Sequence, residues 1–262
     1  MSSSVPFSGR AAIVTGASSG IGRATAIALG KAGMELWLVG RSSEQLHITA
    51  QAIAQAGGPA GHCVALDLAE AGALAELVAD VSQRHPYLFA LINNAGVMYP
   101  EPVVDADPAR WHEMFAINLM TPMEGCRAAV QAMRRHGRAG HLINVSSIAG
   151  RDDRYGAYGV SKAALSHLGR TLRKELEGDD IRITTIVPGG FATSLSRGFD
   201  AGSVARLQAN MATLDIDPNG PNGRKLMGDP ERVAEMVRYV LEQPVELNLE
   251  EITIRPALSL DL

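Results

Sequence analysis

The chain has 262 residues, 46% of them apolar, enough to bury the core of one sizeable α/β domain spanning residues 1–262. Its 24 basic and 28 acidic side chains leave a formal charge of −4 and no clustered basic face, which argues against a nucleic-acid partner. Two cysteines, Cys63 and Cys126, fit neither a zinc spacing nor a disulfide framework, residues 1–9 lack an apolar signal core, and no run is long enough to span a bilayer. The expectation is a cytoplasmic protein with no metal and no membrane partner.

An apolar, β-branched run at 11–15 leads at once into Gly16-Ala17-Ser18-Ser19-Gly20-Ile21-Gly22, which reads as strand, tight turn and a helix over 21–32 closing at Gly33. Glycines let backbone approach a diphosphate, and the helix amino terminus adds unpaired N–H groups and a positive dipole. Gly16, Ser18, Ser19, Gly20, Ile21 and Gly22 therefore form a candidate anion cradle for a dinucleotide. A second run, 35–39, ends in Gly40-Arg41-Ser42. An acidic residue here would bond a ribose 2′-hydroxyl and repel a 2′-phosphate; a glycine followed by a guanidinium favours the phosphate, with Ser18 and Ser42 as hydroxyl partners. NADP(H) is thus expected over NAD(H). Further strand runs at 62–66, 89–93, 141–145, 182–187 and 251–255 alternate with helical patterns at 44–56, 72–84, 108–136, 158–177 and 230–242. The alternation predicts a single Rossmann-type, doubly wound α/β domain: about seven parallel strands, helices on both faces, and ligands at the carboxyl ends of the strands.

The helix over 108–136 opens with Asp107 as N-cap and Pro108 at the first helical position. Pro122 has no N–H for the carbonyl of Asn118, so the spacing predicts a kink and a free carbonyl able to hold a water. The basic run Arg134-Arg135-His136-Gly137-Arg138 reads as a solvated helix terminus favoured by the dipole. In Tyr158-Gly159-Val160-Ser161-Lys162 the tyrosine and lysine share a helix face, and a cation there would lower the phenol's pKa from about 10 toward neutrality. Ser147-Ile148-Ala149-Gly150 begins eleven residues before that tyrosine. Residues 194–229 are turn-rich and aperiodic, as a substrate lid would be. Within them Asp215-Ile216-Asp217 opens like a calcium loop, but Pro218 interrupts it and Leu226 stands where a bidentate glutamate is required.

With the Gly-x-x-x-Gly-x-Gly turn, Asn93-Asn94-Ala95-Gly96, Asn118, Ser147, Tyr158 and Lys162 in this order, the chain resembles the short-chain dehydrogenase/reductase family from about residue 8 to the run near Arg255. The resemblance implies a catalytic set of Asn118, Ser147, Tyr158 and Lys162 that transfers a hydride between NADP(H) and the carbonyl or alcohol of a small to medium organic molecule. Tyr158 would protonate the oxygen and Ser147 would hydrogen-bond it. Lys162 would also hold the nicotinamide ribose, and Asn118 would serve a proton relay. Further cofactor contacts are implied for Asp67, at the adenine, and its neighbour Leu68; for Asn94, on the adenosine ribose side, with Ala95 and Gly96; and for Pro188, Gly189, Phe191 and Thr193, the last at the nicotinamide carboxamide.

Relatives commonly form dimers or tetramers on the helices matching 108–136 and 158–177, so a homodimer or homotetramer is expected. The closing Glu251-Ile252-Thr253-Ile254-Arg255-Pro256 is similar to that of bacterial NADPH-dependent aldehyde and ketone reductases. One departure stands out: the family's serine usually lies about one or two residues farther from its tyrosine, so the 151–157 loop is short here. The alternatives are an epimerase- or dehydratase-type relative, whose usual Gly-x-x-Gly-x-x-Gly turn and longer substrate domain are absent, and a non-catalytic dinucleotide-binding protein, against which the intact serine, tyrosine, lysine and asparagine set stands.

Overall fold

The computed structural model describes residues 6–99, 101–195, 199, 202, 225 and 227–258. Its strands are Ala11–Thr15 (β1), Glu35–Gly40 (β2), His62–Ala65 (β3), Leu88–Asn93 (β4), Gly140–Val145 (β5), Ile181–Pro188 (β6) and Glu251–Ile254 (β7). They form one parallel sheet in the order β3-β2-β1-β4-β5-β6-β7. The helices are Gly20–Lys31 (α1), Ser43–Gln55 (α2), Ala73–Arg84 (α3), Pro108–Phe115 (α4), Thr121–His136 (α5), Gly156–Glu175 (α6) and Pro230–Glu242 (α7).

Both faces of the sheet are covered at its centre, which is why the runs of β1, β2 and β4 are largely apolar rather than alternating. Ala12 and Val14 of β1, with Ala90 and Ile92 of β4, pack with residues of α1, α2 and α7; their neighbours Ala11, Ile13, Leu88 and Leu91 pack on the other face with α3 and α5. The chain leaves β1 toward β2 and β3 on one side and resumes at β4 on the other, so strand order reverses between β1 and β4. The connections leaving the carboxyl ends of those two strands diverge there and open a crevice.

Three expectations are revised. The single helix over 108–136 is broken. Asp107 caps α4 by accepting from the Ala109 N–H at 2.9 Å, but Ala116–Met120 form a π turn, with the Thr121 N–H bonded to the Ala116 carbonyl, before α5 resumes α geometry. Pro122 cannot supply the α-helical partner of the Asn118 carbonyl, and the wider turn rearranges the bonding just before it. The basic end of α5 is not wholly solvated, since Arg134 pairs with Asp179 at 2.7 Å while Gly137 closes the helix at φ +60°. The serine-to-tyrosine connection is not a plain loop: 3₁₀ turns at Ile148–Arg151 and Asp153–Tyr155 fill it, and α6 begins at Gly156, two residues earlier than the pattern suggested. Most of the expected lid, and the calcium-like segment with it, lies outside the described residues.

Buried polar pairs interrupt the apolar strands, Asn93 of β4 with Asn144 of β5 at 2.9 Å and a second between β5 and β6. His141 of β5 is fully buried, its Nε2 2.9 Å from the Thr184 hydroxyl of β6, beside Arg182, whose guanidinium donates to the carbonyls of Pro244 and Leu247. Burial, seconded by the Arg182 charge, pushes His141 down to about 3. The unfolded chain takes up this proton near pH 6.5 and the folded one only near 3, so the unfolded state binds more protons across that window and stability falls as pH drops through it. His141→Gln, which has no such proton to bind, should lose less thermal midpoint than the parent between pH 6.5 and 4.5 in calorimetry; equal losses would assign the acid sensitivity elsewhere.

Candidate active site

The turn after β1 is built from close backbone approach. Gly16 and Gly20 have φ of +68° and +52°, and a Cβ on Gly22 would sit 2.2 Å from the Gly16 carbonyl oxygen and 2.4 Å from Asn94 Nδ2. Ser19 occupies the N-cap of α1 without a side-chain cap bond, leaving the first-turn N–H groups of α1 to face the crevice. Thr15 stitches this turn to the segment after β4. Its hydroxyl donates to the Ile92 carbonyl at 3.2 Å and accepts the N–H groups of Asn94 and Ala95 at 2.9 and 3.0 Å, while Asn94 Nδ2 donates to the Thr15 carbonyl at 2.9 Å.

A second brace holds the turn from behind. Arg23 donates to the carbonyl of Ser18, to Gln45 Oε1 at 2.8 Å and to the Thr49 hydroxyl at 3.2 Å, and Thr49 donates to the Ala17 carbonyl at 2.9 Å. Sequence reasoning missed Thr15, Arg23 and Thr49. Thr15 was the findable one, as the lone polar residue ending an apolar strand; the other two act through partners on a different helix.

These elements bound a cleft of about 660 Å³, within the ~300–1,000 Å³ usual for ligand sites. Gly16, Ser18, Ser19, Gly20 and Ile21 line one end with Arg41, Asp67 and Leu68; Asn94, Ala95 and Gly96 line its floor; Ser147, Tyr158, Lys162, Pro188, Gly189, Phe191 and Thr193 line the other end. Three expected residues stand just outside it. Gly22 lies behind the turn. Ser42 caps α2, accepting the Gln45 N–H at 3.3 Å. Asn118 sits behind Gly96, where a Cβ would come 3.2 Å from its Oδ1. The Asn118 amide accepts from the Val97 N–H and donates to the Val97 carbonyl, both at 2.9 Å, and also donates to Ser161 Oγ at 3.1 Å. Ser161 in turn donates to the Tyr158 carbonyl at 2.7 Å, so the π turn is bonded to both the cleft floor and α6.

Ser147 ends the β5 connection as cap of the first 3₁₀ turn, accepting the Ala149 N–H at 3.1 Å. Its neighbour Ser146 is committed to α6, bonding the Lys162 carbonyl at 2.9 Å and Ser166 at 2.7 Å. Gly150 lets the turn press on α6, since a Cβ would lie 2.7 Å from the Ala163 nitrogen. Lys162 is buried, donates to the Val145 carbonyl at 3.0 Å and stands 6.0 Å from the Tyr158 ring centre.

The expected depression of the Tyr158 pKa is overturned. Burial pushes the phenol up to about 12, against a hydrogen bond with Ser147 that pulls it down, and burial pushes Lys162 down to about 8. The i, i+4 spacing does put both groups on one face, but desolvation outweighs their attraction. A protonated phenol hydrogen-bonded to a serine, with an ammonium behind it, can deliver a proton to an oxygen seated between the two hydroxyls.

A family model described as short chain dehydrogenase matches residues 10–203. An uncharacterized oxidoreductase of Staphylococcus haemolyticus is 32% identical over 252 residues, covering 95% of this chain and 98% of its own; one of Staphylococcus saprophyticus is 30% identical over 254, covering 96% and 99%. Among solved structures, a metagenomic short-chain oxidoreductase in complex with NADP superposes with TM-score 0.77 at 30% identity, over 97% of this chain and 100% of that one. The alcohol dehydrogenase of Thermococcus sibiricus, complexed with 5-hydroxy-NADP, gives 0.78 at 28%, over 94% and 96%. Sheet order, glycine turn, serine–tyrosine–lysine cleft and a match across most of the chain agree: the protein belongs to the short-chain dehydrogenase family.

Proposed function

We propose that the protein is an NADP(H)-dependent oxidoreductase that interconverts a carbonyl group with the corresponding primary or secondary alcohol of a small to medium organic molecule. The observation that carries this reading is the convergence of Ser147, Tyr158 and Lys162 at one end of a cleft whose other end is the glycine turn and Arg41. The residues present fit the dinucleotide: the positive-φ glycines and the α1 amino terminus suit a diphosphate, and Gly40, where a Cβ would lie only 3.3 Å from Ser18 Oγ, places that hydroxyl beside Arg41. The NADP-bound relatives support the same choice.

When bound, NADPH supplies the hydride that forms the new C–H bond at the carbonyl carbon. The chain's own groups manage the oxygen. Tyr158 gives its phenolic proton to the oxygen as charge develops there, and Ser147 donates a hydrogen bond to the same atom. Lys162, cationic below about pH 8, stabilises the phenolate left behind and would hold the nicotinamide ribose. Asn118 holds the Val97 backbone and, through Ser161, the first turn of α6, fixing Tyr158 in place. A homodimer or homotetramer is supported by Met120, Met123 and Val160, exposed apolar residues on the π turn, α5 and α6.

Tyr158→Phe should keep NADPH affinity, read by fluorescence titration, while carbonyl reduction falls at least about a hundredfold; near-normal turnover would sink the assignment. For Arg41→Asp the expected outcome is a reversed preference, with kcat/KM for NADPH falling about a hundredfold and that for NADH held or raised, because a carboxylate repels the 2′-phosphate and accepts from the ribose hydroxyls. Unchanged NADPH preference would move the discrimination to Ser18 or Ser42. Because Tyr158 keeps its proton up to about 12 while Lys162 loses its own near 8, reduction should be level around neutrality and decline above about pH 8. That alkaline limb should shift upward in the residual activity of Lys162→Arg; a limb that stays put belongs to another group.

A further inference from the structure

We infer that the substrate is a carbonyl compound bearing a bulky apolar substituent, alkyl or aryl, rather than a sugar or a keto acid; this rests on the oxidoreductase reading above. Tyr158 has Ser147 and Lys162 on one side and apolar surface on the other. It belongs to an apolar cluster with Met98, Ala149 and Tyr155, against which Trp111, Leu195 and Phe199 pack. Met98, Tyr155, Leu195 and Phe199 also line the cleft, and Met227 lines it while 39% exposed.

Among the described lining residues the charges are Arg41, Asp67, Lys162 and Arg255. Arg41 and Asp67 follow β2 and β3, at the end of the cleft away from Tyr158. Lys162 is engaged by the Val145 carbonyl. Arg255 lies under the loop after β6, where a Cβ on Gly189 would be 3.2 Å from its Cγ. Of the nearby polar heads, the Tyr99 hydroxyl donates to Glu113 at 2.6 Å, and the Thr193 hydroxyl accepts the Leu195 N–H at 3.4 Å. Among the described residues this wall offers a polyhydroxylated substrate few partners to replace its water, whereas an alkyl chain or ring would exchange water for methionine, leucine and aromatic surface.

The test has a kinetic arm and a binding arm. With NADPH saturating, kcat/KM is measured for butanone, 2-hexanone, 2-octanone, 4-phenyl-2-butanone, dihydroxyacetone and pyruvate. The expected result is a gain of about fourfold per added methylene from butanone to 2-hexanone, the transfer value of a buried CH₂. Dihydroxyacetone and pyruvate should fall about a hundredfold or more below 2-octanone, since their polar groups stay unpaired. A preference for either of those two overturns the apolar class and leaves the oxidoreductase reading intact.

In the binding arm, tryptophan emission of the protein with NADP⁺ is followed as 4-phenyl-2-butanol or glycerol is added, because Trp111 backs the wall and is one of only two tryptophans. A saturable change with phenylbutanol and none with glycerol is expected, and Met98→Thr should weaken the former about fivefold by removing apolar contact. If no ketone turns over yet phenylbutanol saturates, the oxidoreductase reading falls and the apolar wall stands. A response to glycerol, or to neither alcohol, overturns the inference.

Discussion

Where the crevice opens, one hydroxyl serves three backbone groups and ties its two sides together. Where strand order reverses, the segments leaving β1 and β4 must part, and parting strands leave N–H groups and carbonyls without ladder partners. Thr15 Oγ1 takes up the N–H groups of Asn94 and Ala95 and gives its own proton to Ile92, while the Asn94 amide returns a bond to the Thr15 carbonyl. The glycine turn and the cleft floor are thereby fixed relative to each other through the Thr15 hydroxyl and the Asn94 amide. Gly96 then needs to remain bare, because Asn118 and Lys162 approach it from beneath. Placement of the candidate catalytic groups is thus linked through the floor to a threonine at the end of the first strand.

Burial sets the chemistry of those groups more than pairing does. Tyr158 and Lys162 are each 3% exposed, and the interior resists charge on either. The phenol consequently keeps its proton and the ammonium holds its own only to about pH 8, giving a state prepared to donate. Ser147 is the counterweight, since its hydrogen bond to Tyr158 favours the ionised phenol that proton transfer leaves behind.

Strand positions were legible in the sequence because both faces of the sheet are covered, so 11–15 and 89–93 stand out as unbroken apolar runs. Caps were legible where one residue decides them, as at Asp107 and Gly33. The four candidate catalytic positions were legible as an ordered set, and Ser147, Tyr158 and Lys162 do meet in one cleft with Asn118 behind its floor. What spacing could not reveal was ionisation: four residues on a helix define a face, not the amount of water beside it. Nor could it reveal the brace behind the glycine turn, where Arg23 and Thr49 lie 26 residues apart and Thr49 reaches Ala17 across 32. The break at Pro122 was legible as a disturbance, but its resolution as a π turn depends on Asn118 being held to Val97 and Ser161.

The two connections near the cleft tolerate changes of length very differently. A helix counts residues, and the wide turn at Ala116–Met120 takes up one more than an α turn holds, so dropping a single residue there would restore plain α geometry and leave α5 seated as before. Cys126, Ala129, Val130 and Met133 would keep facing the sheet, and the attachment that yields would be that of Asn118 to Val97, inside the turn itself. The short turns between Ser147 and Gly156 keep no such count, because neither continues into a helix that packs on the sheet before α6 begins. Shortening can therefore accumulate between the serine and the tyrosine while the asparagine segment stays at constant length, and the chain's one departure in spacing falls on the permissive side.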